Sequence, residues 1–199
     1  PDIIQSHTGI SDLYLALIRN SSRFIKIRCQ ITPQSFATRP VLGHILENYV
    51  LKFRYHHFIT VNNKIRNKLI DQKINHEKIT FINNPIPTWI INRKIDDFTS
   101  KDDRIIISFL GRLSHEKGAD RVIKLFFQLL PFFDEKINLI IGGQGVLFEE
   151  LNSYVGDLNL QKTVKIIGYV DDLHAFYNKS DIVINTSRFE GVPITLLEA

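Results

Sequence analysis

Two short segments of this 199-residue chain bring together residue types suited to a phosphorylated ligand. The first is Gly111-Arg112-Leu113-Ser114-His115-Glu116-Lys117-Gly118, placed directly after the apolar run Arg104–Leu110 and just before a helical pattern. In an open parallel sheet the loops at the carboxyl ends of strands form the ligand crevice, so Arg112 and Lys117 are expected to sit at one. An arginine can grip a diphosphate in bidentate fashion and a lysine adds a compact point charge. The flanking glycines let the backbone turn tightly. A solvated βα loop would carry the same charges, and spacing alone does not separate these readings.

The second segment is Phe189-Glu190-Gly191-Val192-Pro193-Ile194-Thr195-Leu196-Leu197-Glu198. Pro193 suits the first turn of a helix, where its missing N–H costs nothing. The amides of Ile194, Thr195 and Leu196 would then be unpaired and form a small anion site. Glu190 and Glu198 raise the idea of a glycosidase acid/base pair, but eight helical residues at ~1.5 Å rise separate their backbones by about 12 Å. Such pairs need carboxyl separations of ~5–9.5 Å. Two separate jobs for the two acids are expected instead.

Other candidates point to structure. Gly142-Gly143-Gln144-Gly145 departs from Gly-x-Gly-x-x-Gly and reads as a strand-to-helix turn. His56-His57 has no third ligand nearby in sequence, and Asp171-Asp172 reads as a helix N-cap and its neighbour. The chain has no Asp-x-Asp pair, and no metal is expected. Lys52, Phe53, Arg54 and Tyr55 interleave basic and aromatic residues at a helix end, which fits a solvated terminus better than a membrane or nucleic-acid patch.

The elements that must hold these residues follow from periodicity. Arg104–Leu110, Ile137–Ile141, Val164–Ile167 and Asp181–Asn185 read as strands. Between them, Val122, Leu125, Phe126 and Leu129, then Leu147, Leu151, Val155 and Leu158, read as helix stripes. Asp172–Lys179 is a short helix, and another begins at Pro193. This alternation implies right-handed crossovers and a parallel sheet covered on both sides. The first half repeats the rhythm: strands at Ile3–Gln5, Phe24–Ile27, Phe58–Val61 and Ile79–Ile82, helices at Asp12–Arg19, Leu42–Phe53 and Lys64–Asp71. Asn84-Pro85-Ile86-Pro87 stops regular structure. The domains expected are 1–86 and 104–199, with a polar linker over 87–103.

An apolar share of 44% with 14 Phe supports a packed core and argues against disorder. The chain opens Pro-Asp, contains no Met and ends within a helical pattern, so it is read as a piece of a longer protein with little or no activity by itself. No apolar run reaches the ~18 residues of a spanning helix, and no signal-peptide pattern opens the chain. One cysteine, Cys29, excludes an internal disulfide and a Cys-based zinc site and suits a reducing compartment. Residues 1–100 carry fourteen Lys and Arg against seven Asp and Glu, whereas residues 101–199 carry eleven against fourteen. The basic half is expected either to meet an anionic surface or to be solvated.

Taken in order, GRLSHEKG, LIIGGQG, VKIIGYVDDLHAFYNKSDIVINTS and EGVPITLLE resemble the carboxyl-terminal domain of glycosyltransferase family 4, over about residues 104–199. PDIIQSH and KITFINNPI resemble amino-terminal strands of that family more loosely. The resemblance implies an α/β protein of two Rossmann-like parallel-sheet domains (GT-B type), both incomplete here. It implies a retaining transferase moving a hexose-type sugar from a UDP- or GDP-sugar to a glycan or lipid-linked acceptor in cell-surface polysaccharide or lipopolysaccharide synthesis, without cofactor, metal or nucleic acid. Residue by residue, Arg112 and Lys117 would hold the donor diphosphate, Glu190 would touch the sugar and Glu198 the ribose hydroxyls. The Val170 backbone would meet the base, and the amides at Ile194, Thr195 and Leu196 the phosphates or sugar. The family often has a histidine after the strand matched by Phe24–Ile27, and Cys29 is expected at that place. Peripheral contact with the anionic inner face of a membrane, from the cytoplasm, is the expected location. A non-catalytic nucleotide- or glycan-binding module and a Rossmann-type oxidoreductase are the alternatives, the latter lacking its glycine fingerprint.

Overall fold

The computed structural model describes residues 1–7, 9–19, 23–31, 45, 52–86, 104–133 and 136–199. Contacts divide the chain into two units, Pro1–Pro85 with Glu190–Val192, and Ile86–Phe189 with Pro193–Ala199. The expected linker over 87–103 lies outside the described residues, as does nearly all of the expected helix over Leu42–Phe53.

In the first unit, β1 (Ile3–Ser6), α1 (Gly9–Leu17), β2 (Ile25–Gln30), β3 (His57–Thr60), α2 (Asn63–Asp71) and β4 (Ile79–Phe81) follow one another. The strands form a parallel sheet in the order β1-β2-β3-β4. Helix α2 starts where Asn62 turns its side chain onto its own backbone, Oδ1 accepting from the Ile65 amide at 2.8 Å. Its inward residues Ile65 and Leu69 are buried, and Leu69 packs with Phe58 and Ile79.

Cys29 lies inside β2 rather than after it, because the strand runs three residues further than Ile27. Its buried Sγ accepts from Gln5 Nε2 at 2.7 Å, and burial raises the thiol's pKa. Two cations of the basic half are not on the surface at all. Lys26 and Arg28 are the largest fully buried side chains, since they occupy inward positions of a strand. Lys26 Nζ donates to the Ile18 carbonyl, and Arg28 Nε donates to Asp12 Oδ2 at 2.8 Å. Asp12 also accepts from Ser6 Oγ at 2.6 Å, and Tyr55 Oη donates to the Asp12 carbonyl at 2.8 Å. Periodicity does not reveal a buried charge whose partner stands sixteen residues away on another element.

The second unit contains β5 (Ile105–Leu110), α3 (Ala119–Leu129), β6 (Ile137–Gly142), α4 (Phe148–Asp157), β7 (Val164–Gly168), α5 (Leu173–Asn178), β8 (Ile182–Val183) and α6 (Ile194–Glu198). Its parallel sheet has the order β7-β6-β5-β8, so the chain moves outward from β5 one way and then crosses back to its other side. That reversal next to β5 is a topological switch point, where crevices open at the carboxyl edge.

The α3 face differs from the expected stripe. Ala119, Val122, Ile123 and Phe126 are buried and Leu130 packs against them, whereas Leu125 is exposed. At ~100° per residue these inward positions centre roughly 115° away from Leu125. Strand β8 is shorter than the expected Asp181–Asn185. Its ladder to β5 is extended by Asp181 N–H to Ile106 O and Ile184 N–H to Ser108 O, both 2.9 Å, and then Asn185 breaks it. Asn185 Oδ1 accepts from the Ser187 amide at 2.8 Å, an Asx turn.

Asp12→Ala is expected to strand the buried Arg28 guanidinium, and such losses cost about 3–5 kcal/mol. Chemical denaturation checks this; a midpoint within error of the parent would show that the pair does not hold the first unit.

Candidate functional site

The site is built at the carboxyl edge of the second sheet. Each strand there hands over to a loop, and the loops are hydrogen-bonded to one another in sheet order. From the β6 loop to the β7 end, Gly143 N–H donates to Gly168 O at 2.6 Å. From the β5 loop to the β6 loop, Gly111 N–H donates to Gly142 O at 3.0 Å and Leu113 N–H to Gln144 O at 2.9 Å. Between the β5 and β8 loops, Arg188 N–H donates to Glu116 O at 2.8 Å and Thr186 Oγ1 to Gly118 O at 2.7 Å.

This spacing leaves no room for a Cβ at Gly145, where one would lie 2.3 Å from the Leu113 carbonyl oxygen, and is tightest at two further glycines. Gly143 has φ 134, and a Cβ there would lie 1.9 Å from the Gly111 carbonyl oxygen. Gly118 has φ 72 as it opens α3, and a Cβ there would lie 2.1 Å from the Thr186 carbonyl oxygen. The Gly-Gly-Gln-Gly turn therefore serves the approach of two backbones, a use that its mismatch with dinucleotide fingerprints did not reveal.

The loop carrying Arg112 and Lys117 is held from both sides. Leu113, between them, is wholly buried in the core and anchors the loop from beneath. From the β8 side, Arg188 makes a bidentate pair with Asp120, Nη1 to Oδ1 at 2.8 Å and Nη2 to Oδ2 at 2.7 Å. Arg188 Nη1 also donates to the His115 carbonyl. The guanidinium hydrogen bonds hold the Asp120 carboxyl below its usual pKa, outweighing the opposing effect of partial burial. Sequence reading missed Arg188, because its partner lies sixty-eight residues away and only the fold joins them. Arg112 itself is exposed, and Lys117 is half-buried.

Val170 sits beside Gly142 at the end of β6, where an added Cβ would lie 2.7 Å from Val170 Cγ2. Asp172 caps α5 as expected, Oδ1 accepting from the Ala175 amide at 2.9 Å. On that helix, buried Tyr177 directs its hydroxyl at α6, 3.1 Å from Glu198 Oε2 and 3.1 Å from the Thr195 carbonyl.

The last segment departs from expectation in two respects. Pro193 stands one residue before α6 in an extended conformation, φ −71 and ψ 106, rather than in the first turn. Its carbonyl closes a tight turn by accepting from the Leu196 amide at 3.2 Å, so Leu196 is not one of three unpaired donors beside Ile194 and Thr195. Glu190, for its part, precedes the helix and groups with the first unit, where Asn62 Nδ2 donates to the Gly191 carbonyl at 2.8 Å. The rise-per-residue estimate for Glu190 and Glu198 therefore does not apply, since no continuous helix joins them. Among the described residues, no group of three or more His, Cys, Asp or Glu is placed to hold a metal ion.

Fold and site together define a Rossmann-like α/β protein whose second unit gathers its loops, two cations among them, at a switch point. The family model described as "Glycosyl transferases group 1" matches residues 91–199, more than half of the chain. The chain belongs to this glycosyltransferase family. Among curated relatives, the amylovoran biosynthesis glycosyltransferase AmsD of Erwinia amylovora is 28% identical over 109 residues, 55% of this chain and 30% of the relative. The N-acetylgalactosamine-N,N'-diacetylbacillosaminyl-diphospho-undecaprenol 4-alpha-N-acetylgalactosaminyltransferase of Campylobacter jejuni is 24% identical over 194 residues, 94% of this chain and 52% of the relative. Among solved structures, Anabaena Alr3699/HepE in complex with UDP and glucose superposes with a TM-score of 0.76 at 17% identity, over all of this chain and 56% of the other. The chain thus spans about half or less of the length of these relatives. Its fold is that of the GT-B glycosyltransferases, two Rossmann-like parallel sheets.

Gly143→Ala is expected to destabilise by about 2–4 kcal/mol, from left-handed strain together with overlap on the neighbouring loop. Gly156, in α4, has only Gln161 Nε2 within 4 Å of an added Cβ, at 3.7 Å. Gly156→Ala should therefore stabilise by up to about 1 kcal/mol. Paired thermal melts check both; equal shifts for the two variants would remove the close-approach argument.

Proposed function

We propose that this chain is part of a retaining glycosyltransferase of family 4 that moves a hexose-type sugar from a UDP- or GDP-sugar to a glycan or lipid-linked acceptor. The observation that carries the proposal is the fixed β5 loop, which presents Arg112 and Lys117 at the carboxyl edge of the second sheet and is clamped there by Arg188. The names of the relatives support it. One is an amylovoran biosynthesis enzyme, one an N-acetylgalactosaminyltransferase named for a diphospho-undecaprenol compound, and the HepE complex contains UDP and glucose.

In this reading Arg112 and Lys117 bind the donor diphosphate. As the bond from the anomeric carbon to the leaving oxygen breaks, negative charge grows on the nucleoside diphosphate. Cations fixed in advance stabilise that charge more in the transition state than in the ground state. Glu190 contacts the transferred sugar, Glu198 the ribose hydroxyls, the Val170 backbone the base, and the amides of Ile194 and Thr195 the phosphates or sugar. The acceptor hydroxyl attacks from the face that the diphosphate leaves, and the departing phosphate takes its proton. This accounts for retention without a side-chain base or a metal ion.

The expected outcome in the full-length protein is that Lys117→Ala and Glu190→Gln each lower transfer by at least about 100-fold, the scale of losing one preorganised charge contact, while their melting curves stay unchanged. UDP and GDP compared as ligands identify the base, because a ligand that binds only the folded state raises its melting temperature. Unchanged transfer in both variants, or no thermal shift with either nucleotide, overturns the assignment.

For the acceptor side we propose that the remaining basic residues of the first half rest on the anionic cytoplasmic face of a membrane, each contributing ~1 kcal/mol near the surface. No helix among the described residues is long and apolar enough to cross one. Co-sedimentation should be stronger with anionic than with neutral vesicles and should fall with added salt. Equal binding to both removes this placement.

A further inference from the structure

We infer that Tyr177 is a positioning residue that fixes the Glu198 carboxylate and so makes the site selective for an intact ribose diol. The inference rests on the proposed role of Glu198 at the donor ribose. Its geometry lies within the second unit: the Tyr177 hydroxyl, carried by α5, stands 3.1 Å from both Glu198 Oε2 and the Thr195 carbonyl oxygen of α6. The one phenolic proton is shared between these two acceptors. The ring is 3% exposed and packs edge-on against Phe176, centroids 5.6 Å apart, so its direction is set by the core rather than by α6.

The chemistry of the pair runs one way. An ionised carboxylate only accepts, so the phenol must be the donor. Burial, with the adjacent Glu198 charge, pushes the Tyr177 pKa well above its ordinary value, and the hydroxyl keeps its proton throughout the physiological range. Helix α6 starts at Ile194 with no side-chain cap on its first turn. A bond from Tyr177 to its Thr195 carbonyl and to its Glu198 side chain ties the start of that helix to α5 at two points. With Oε2 engaged by the phenol, the carboxylate turns less freely, and its remaining lone pairs can accept from two vicinal hydroxyls. Without the phenol proton it can rotate, and each sugar hydroxyl must then order it on binding.

The test compares the binding of UDP and 3′-deoxy-UDP to the full-length protein, or of the matching guanine pair if GDP is the tighter ligand. A hydrogen bond to a charged group is worth roughly 1.5–3 kcal/mol, so the parent should prefer the intact ribose by about 10- to 100-fold. Tyr177→Phe should hold the affinity for the deoxy ligand within about threefold and cut the preference at least fivefold, because only the hydroxyl contact has lost its anchor. A purely structural hydroxyl would weaken both ligands alike and leave the ratio unchanged, which overturns the inference. If the parent shows no preference, or Glu198→Gln leaves the ratio intact, the ribose role of Glu198 itself fails and the inference fails with it. Should Tyr177→Phe not fold, Tyr177→Met removes the same hydroxyl with a side chain that fills irregular space, and the same two outcomes decide.

Discussion

The second unit depends on one constraint: backbones of neighbouring loops approach so closely at its carboxyl edge that no Cβ fits between them. Gly143 against Gly111 and Gly118 against Thr186 are the tightest points. Because of that closeness, amides and carbonyls that would otherwise face water bond to one another across the loops, from Gly168 through Gly143 and Gly111 to Glu116 and Arg188. A loop tied in this way keeps one backbone path, and Arg112 and Lys117 are carried on it. Alternating strands and helices supply the sheet, and the switch in strand order opens its edge. The glycines turn that edge into a fixed surface.

Buried charge plays the corresponding part in the first unit, although there it shapes the interior. Asp12 accepts from Arg28 and Ser6 through its carboxylate and from Tyr55 through its carbonyl, and these bonds tie α1 to β1, to β2 and to the turn before β3. Burial, with the Asp12 charge and against the opposing effects of Ser6 and Arg28, pushes the Tyr55 pKa up to about 12, so its hydroxyl remains a donor. A buried ion pair is costly to desolvate and gains from having every lone pair used. The two units therefore solve different problems with polar groups, rigid internal cross-links in one and an ordered outward edge in the other.

Much of this was legible in the residues, and where it was not the reasons are physical. Strand and helix positions follow from periodicity because burial on a parallel sheet imposes it, and all eight strands found among the described residues lie where apolar runs pointed. Element ends were less visible. Asn185 stops β8 early with its own side chain, and Pro193 leaves its carbonyl to close a tight turn, so α6 begins one residue later than the proline suggested. The α3 face was misjudged by one position, because Ile123 and Leu125 are equally apolar and only the sheet beneath selects between them. Lys26 and Arg28 add to the basic count of the first half although both are buried, since composition carries no information about depth. Arg188 and Tyr177 were invisible as partners because their bonds span sixty-eight and twenty-one residues.

The two glutamates show what the fold adds to a motif. Seven residues separate Glu190 from Glu198, a spacing that on one helix would set both on a common scaffold. Pro193 prevents this: its extended backbone divides the segment, and α6 starts only after it. Glu198 is then oriented by a phenol from the core of the second unit, while the Gly191 and Val192 carbonyls that follow Glu190 accept from Asn62 and Asn84 of the first. The backbone beside Glu190 is therefore held by the end of β3 and the cap of α2, whereas the Glu198 carboxylate is held by Tyr177. A carboxyl pair acting on the two faces of one glycosidic bond must keep a fixed separation, which a broken segment does not impose. The division of the motif at Pro193 accordingly places the two glutamates on separate pieces of backbone.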